Sequence, residues 1–213
     1  MADKKSGADL FIVDNSDADW KVRDYLREWC EIAHQFDIAT GSFEIGGLLD
    51  LDEHWQKLDK IRILMGDEVS KRTKRAFVES IERVKHVLDD SIEREKETND
   101  FLKGVAAIVE GMTAGKIESR VYRKDKFHAK AYITHGKHAV VGSSALVGSS
   151  NFTHPGLTGN VELNVQIQRE VEELQAWYER HWNDAEDITA GVLKVIERHI
   201  REYTPFEVYA KAL

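Results

Sequence analysis

The sequence predicts an α/β sandwich, and three observations predict it. Short apolar runs of strand character occur in both halves of the chain, at 10–13, 36–40 and 61–65, then at 117–123, 128–134, 139–141, 145–147 and 161–167. Helical patterns lie between and after them. The apolar period shifts from helical to strand-like after Gly115. Strands and helices mixed along one chain bury a sheet against helical layers.

Each element has its own warrant. Residues 16–19, Ser-Asp-Ala-Asp, resemble a capping box with Asp in place of Glu, ahead of a helical stripe of Trp20, Tyr25, Leu26, Trp29 and Ile32. Residues 43–58 have a helical pattern despite Gly46 and Gly47. From Ser70 to about Met112, the apolar residues Phe77, Ile81, Val84, Leu88 and Ile92 recur at helical spacing. The stripe lapses over 93–100 and resumes at Phe101, which predicts two helices or one kinked helix. Residues 172–182 and 188–202 form further helical patterns, and 206–213 begin another.

Composition bounds the rest. A chain of 213 residues suits one large domain or two small ones. We expect a domain over 1–185 and a helical extension over 186–213 that leads into a longer polypeptide. At 42% hydrophobic and 32% charged the chain is globular rather than disordered. The formal charge of −8 excludes a uniformly basic coat protein but permits a local basic site. Cys30 is the one cysteine, so neither a disulfide framework nor a CxxC zinc site exists within the chain. The first ten residues lack the apolar stretch of a signal peptide, and no apolar run approaches the ~18 residues of a membrane span. The expectation is a soluble, cytoplasmic, reduced protein that has no membrane partner and needs no cofactor or metal.

The chemistry concentrates in His128-Ala-Lys130 and Gly148-Ser149-Ser150-Asn151. Residues two apart on a strand share a face, which sets the Cα atoms of His128 and Lys130 about 7 Å apart. An imidazole beside an ammonium suits attack on a phosphodiester: the ring supplies the nucleophile and the lysine neutralises a non-bridging oxygen. Ser149 and Asn151 add a hydroxyl and an amide for the same phosphate, and Gly148 permits close backbone approach. His128, His135 and His138 also invite a metal reading, but they lack cysteine partners and any zinc spacing.

HxK followed by GSxN resembles the HKD motif of the phospholipase D superfamily. The words FHAKAYI, ALVGSSNFT and GNVELNVQI are similar to that family's strand–turn–strand core, and IATGSFEIGGL to an early loop of its bacterial nuclease-like members. The resemblance covers roughly residues 10–182 and implies an α/β/α sandwich with a mixed β-sheet flanked by helices. It implies that Glu162, eleven residues after Asn151, orients the catalytic histidine. The family's Asp, five residues after the lysine, falls here on His135. The longer interval from Lys130 to Asn151 suggests an extended hairpin through 138–144. Only one motif occurs, whereas the family's site uses two histidines, so the resemblance implies a homodimer with the site on its two-fold axis. Similar domains stand before helicase-like motors in restriction or defence systems, and YTPFEVYAKAL at 203–213 resembles such a junction.

Charge placement supports a polyanionic substrate. From Lys116 to His138 there are seven basic side chains against Glu118 and Asp125, a local charge of +5. Arg123, Lys124 and Lys126 belong to this stretch. Lys71, Arg72, Lys74 and Arg75 form a second cluster, which is also the pattern of a solvated helix face. Such groups neutralise backbone phosphates without reading sequence. Together with the resemblance, this implies metal-independent hydrolysis of nucleic acid, with DNA as the expected partner, through a phosphohistidine. The rival expectation is a catalytically weakened nucleic-acid-binding module of a helicase or restriction assembly. A third, lipid phosphodiester hydrolysis, lacks an amphipathic anchor in the sequence.

Overall fold

The computed structural model describes residues 11–16, 20–66, 101–138 and 142–201. Eight strands form one mixed sheet in the order β1-β7-β6-β5-β2-β3-β4-β8. They are β1 (Ile12–Asp14), β2 (Ala33–Thr40), β3 (Lys60–Gly66), β4 (Ile117–Tyr122), β5 (Ala131–Gly136), β6 (Ser143–Gly148), β7 (Leu163–Ile167) and β8 (Glu186–Asp187). The central β2, β3 and β4 are parallel, and every other pairing is antiparallel.

The period of two explains the layers. On β2, Phe36 and Ile38 face one side and Asp37 and Ala39 the other. Phe36 and Ile38 join the larger core, which buries Val22, Leu26 and Cys30 of helix α1 (Val22–Ile32) and Ile45 and Leu48 of α2 (Ile45–Asp50). The same core takes Val105 and Ile108 of α3 (Phe101–Thr113) and Val192, Val195 and Ile196 of α6 (Thr189–Arg201). Burying each such aliphatic side chain contributes about 1.5–3 kcal/mol. Ala39 instead meets Leu64, Ile133, Tyr178 and Trp182 beneath α5 (Val171–Asp184). A sheet with helices on both faces is the α/β/α sandwich. The chain from 186 onward is woven into it: β8 pairs with β4, and α6 packs on α3 and β4.

Several elements depart from expectation. Helix α1 starts at Val22 rather than after 16–19, of which only Ser16 is described. The Asp24 carboxylate accepts the Lys21 N–H at 3.2 Å, and the buried Asn15 Oδ1 accepts the Val22 N–H at 2.8 Å. The single helix expected over 43–58 divides into α2 and a 3-10 turn, Trp55–Lys57, because Glu53 adopts φ 66° between them. The strand expected from 128 begins at Ala131, because β2 ends at Thr40 and the ladder loses its partner there. His128 and Lys130 lie in the extended segment leading into it. A short helix, α4 (His154–Thr158), was not anticipated; the Thr153 hydroxyl caps it by accepting the Gly156 N–H at 3.1 Å. The patterns at 70–100, 139–141 and 206–213 lie outside the described residues, as does the 203–213 junction on which the motor partner rests.

Candidate active site

The strand directions bring the chemistry to one edge of the sheet. The carboxyl ends of β2, β3 and β6 meet the entry to β5 and the entry to β7 there. Open sheets bind ligands outside the carboxyl ends of their parallel strands. His128 and Lys130 arrive on the β5 side, Asn151 follows β6, and Gly41 follows β2.

Gly41 shows how tightly these groups converge. A Cβ there would lie 3.0 Å from His128 Cδ2, 3.1 Å from Lys130 Nζ and 3.3 Å from Asn151 Oδ1. The Lys130 ammonium lies 2.8 Å from His128 Nδ1 and 3.0 Å from Nε2, and donates to the His128 carbonyl at 3.0 Å. Lys130 is buried whereas the His128 imidazole is exposed. The site thus sets an accessible imidazole beside a buried ammonium, a pairing that can present a nucleophile and a positive charge to one anionic group.

Asn151 is set by β2. Its Oδ1 accepts the Ser42 N–H at 3.1 Å, which leaves the NH₂ end as its remaining donor. The Thr40 hydroxyl donates to the Ser42 carbonyl at 2.6 Å and accepts the Phe152 N–H at 3.0 Å, locking the β2 and β6 ends together. Behind Asn151, the buried Asn164 donates to Ser150 Oγ at 2.9 Å, and the Tyr132 hydroxyl donates to the Ser150 carbonyl at 2.9 Å. Thr40, Ser42, Ser150 and Asn164 were not among the expected site residues. Their signal is that all four lie within words already singled out: Thr40 and Ser42 in IATGSFEIGGL, Ser150 in ALVGSSNFT and Asn164 in GNVELNVQI. Gly148 serves the scaffold too, since a Cβ there would overlap the Leu163 carbonyl oxygen.

Ser149 and Glu162 are bonded to each other. The Ser149 hydroxyl donates to Glu162 Oε2 and accepts the Leu163 N–H at 3.1 Å. Asn160 Nδ2 donates to the other Glu162 oxygen at 3.3 Å. Within one chain Glu162 therefore bonds the site's serine.

The basic residues divide by role. Arg123 is largely buried and pairs with Glu186 at 2.8 Å. The exposed Lys124 pairs with Asp184 at 2.7 Å, and Lys126 is exposed on the same loop. Arg120 stacks over Trp182 at 4.6 Å and donates to its carbonyl at 3.0 Å. Much of the +5 stretch is thus spent inside the fold. Lys71, Arg72, Lys74 and Arg75 lie outside the described residues.

His135 faces a carboxylate from the neighbouring strand. Its Nε2 lies 3.1 Å from Oδ2 of the fully buried Asp37. Arg62 grips Asp37 with two bonds, at 2.7 Å and 2.6 Å, and Gln35 and Gln175 donate to it as well. Burial opposes ionisation of Asp37, but Arg62 and His135 overcome it and hold the carboxyl down at about 2. The same carboxylates, Asp37 and Glu179, push the Arg62 guanidinium up against its own desolvation.

A protein family described as "Cardiolipin synthase, PLD-like domain" matches residues 34–182, which hold all five site residues. The chain belongs to this PLD-like family. Phosphatidylserine synthase of Haemophilus influenzae shares the PLD-like fold, with a TM-score of 0.50 at 11% identity, over 84% of this chain and 42% of that one. Nuc, a phospholipase D family member from Salmonella typhimurium, gives a TM-score of 0.48 at 16% identity, over 83% of this chain and 95% of its own. NucT from Helicobacter pylori gives 0.43 at 11% identity, over 78% and 92%. No curated protein matches the PLD-like chain. Among the described residues no helix is long and apolar enough to cross a membrane.

Proposed function

We propose that this PLD-like chain is a phosphodiesterase acting on nucleic acid, without a metal ion, through a site completed by a second copy of the chain. The carrying observation is the convergence of His128, Lys130 and Asn151 over Gly41. His128 attacks phosphorus in line: a P–N bond forms, the P–O bond to the leaving group breaks, and its electron pair goes to the leaving oxygen. The partner's His128 protonates that oxygen. It next takes a proton from water, whose oxygen attacks phosphorus and releases the first imidazole.

Lys130 and the Asn151 amide hold the non-bridging oxygens through this cycle, in the role a divalent cation fills elsewhere. Ser149 and Glu162 extend the site toward the partner. Glu162 sets the tautomer of an imidazole brought to it across the axis. Lys124 and Lys126 meet flanking phosphates, with Lys71, Arg72, Lys74 and Arg75 as further contacts, and Arg123 braces their loop.

The test is hydrolysis of plasmid and single-stranded substrates in excess EDTA. Activity should persist, His128→Ala should abolish it, and Lys130→Ala should cost at least ~10²-fold, the scale of one lost transition-state donor. A phosphohistidine should be trapped as an acid-labile label. Activity that needs Mg²⁺ and survives His128→Ala overturns the mechanism. Tight DNA binding without hydrolysis leaves the binding module in its place.

A further inference from the structure

Four rings meet behind the backbone that carries His128. Tyr122 ends β4, Phe127 immediately precedes His128, and Trp177 and His181 come from α5. Residues four apart share one helix face, as Trp177 and His181 do. The Trp177 ring stacks on Phe127 at 5.9 Å and 20°, and lies 4.5 Å from the His181 ring. His181 in turn lies 5.1 Å from Tyr122 and 6.0 Å from Phe127. Successive residues of an extended segment alternate sides. Phe127 and Ala129 accordingly pack into the smaller core, whereas His128 and Lys130 turn to Gly41. The backbone of 127–130 is a wall one residue thick, with the imidazole on one side and the rings on the other.

The two tryptophans of α5 sit differently. Trp182 is buried, stacked on Tyr178 at 5.8 Å and covered by the Arg62 and Arg120 guanidinium groups at 5.2 Å and 4.6 Å. Trp177 is only half-buried, at the outer end of a stack whose inner ring, Phe127, is buried. His181 is half-buried as well. Its Nδ1 donates to the Trp177 carbonyl at 2.8 Å, which leaves Nε2 as the acceptor of the neutral ring. We propose that Trp177 and His181 form a subsite for one unpaired nucleobase beside the scissile phosphate, so that the substrate is single-stranded nucleic acid. The inference rests on the nucleic-acid reading above and names the form of nucleic acid. The base stacks on Trp177, and one of its N–H groups meets His181 Nε2. Two arguments select this occupant. The first is continuity with the site: Phe127 is one Cα step, about 3.8 Å, from His128. The second is charge. Lys124 and Lys126 on the loop and Arg180 on α5 are exposed beside the rings, and a strand's phosphates complement them. A base within a duplex keeps its faces between its neighbours, whereas an unpaired base offers a face to an aromatic side chain.

The experiment measures binding by fluorescence anisotropy with the full chain carrying His128→Ala, so that nothing is cleaved. The probes are short DNA and RNA oligonucleotides of one sequence, the corresponding duplex, and DNA strands with one abasic nucleotide moved along the sequence. Trp177→Ala should weaken binding of both single strands about 5- to 100-fold, the range of one lost base stack, and Trp177→Phe should retain most of the affinity. One abasic position should weaken binding by a similar factor, and there Trp177→Ala should add nothing. Equal loss on intact and abasic strands overturns the subsite, because a merely structural tryptophan acts on both. An abasic scan that is flat at every position overturns it too, and needs no variant at 177. A loss on the duplex as large as on the single strand overturns the unpaired base, and a loss confined to one sugar overturns the base as the ligand. Hydrolysis of the same strands by the chain with His128 intact separates this inference from the reading it rests on. Cleavage that ignores both Trp177 and the abasic scan overturns the subsite and leaves the phosphodiesterase standing. Base-dependent binding without cleavage overturns the phosphodiesterase and leaves the subsite.

Discussion

Gly41 allows the site to be disturbed without removing any of its functional groups. Its backbone does not occupy the left-handed region, so alanine there carries no backbone strain. The added methyl would press on His128 at 3.0 Å and on Lys130 at 3.1 Å. Lys130 is buried and has little room to retreat, so the exposed imidazole is the group that moves. A displacement on the scale of 1 Å at a reacting atom costs on the order of 10²-fold in rate. Gly41→Ala should therefore lower kcat by roughly 10- to 100-fold and leave the thermal midpoint nearly unchanged. Steady-state kinetics and calorimetry on one preparation check it; an unaltered kcat would show that these atoms do not form the reacting centre.

The elements show what could be read from the sequence and what could not. Strands β3, β4, β6 and β7 were legible because their apolar residues recur with period two or run unbroken between helices. HxK and GSxN were legible because both words are local. The partner of His135 was not. Asp37 lies 98 positions away in sequence, and no spacing rule links it to β5. Only the β2–β5 register, which pairs Asp37 with Ile133 and Gln35 with His135, brings the two groups to one face. A carboxylate absent from β5 is thus present on its neighbour. The break between α2 and the 3-10 turn was hidden for a similar reason, since Glu53 carries no turn signature of its own. Asp37 also makes acid stability an element-level property. Its folded pKa, about 2, is below the unfolded 3.8, so its contribution is present above pH ~4 and lost as pH falls toward 2. That difference corresponds to about 2 kcal/mol. Denaturant unfolding from pH 5 to pH 2 should show this loss, and Asp37→Asn should be less stable at pH 5 with a flatter slope below pH 4. An unchanged slope would place the acid sensitivity elsewhere.

At the scale of the whole molecule, one chain presents half of the proposed chemistry. The described structure gathers a single His128 at the sheet edge. If the nucleophile and the leaving-group acid come from two copies, the catalytic unit is the pair, and composition becomes a measurable variable. Wild type and His128→Ala can be mixed at constant total protein and left to exchange subunits. A mixed pair holds one histidine and lacks either the nucleophile or the acid, so only pairs of two wild-type chains hydrolyse substrate. Their share is the square of the wild-type fraction. At equal amounts, activity should fall to about one quarter of the undiluted wild type, against about one half for chains that act alone. The curvature is independent of specific activity and of which substrate is cleaved. The mixing must include time for exchange, because chains that never trade partners give the linear result whatever the mechanism; mixing under mild denaturant followed by refolding enforces it. A linear dependence after enforced exchange would assign complete catalysis to each chain, and a second proton donor would then have to be sought among that chain's own residues.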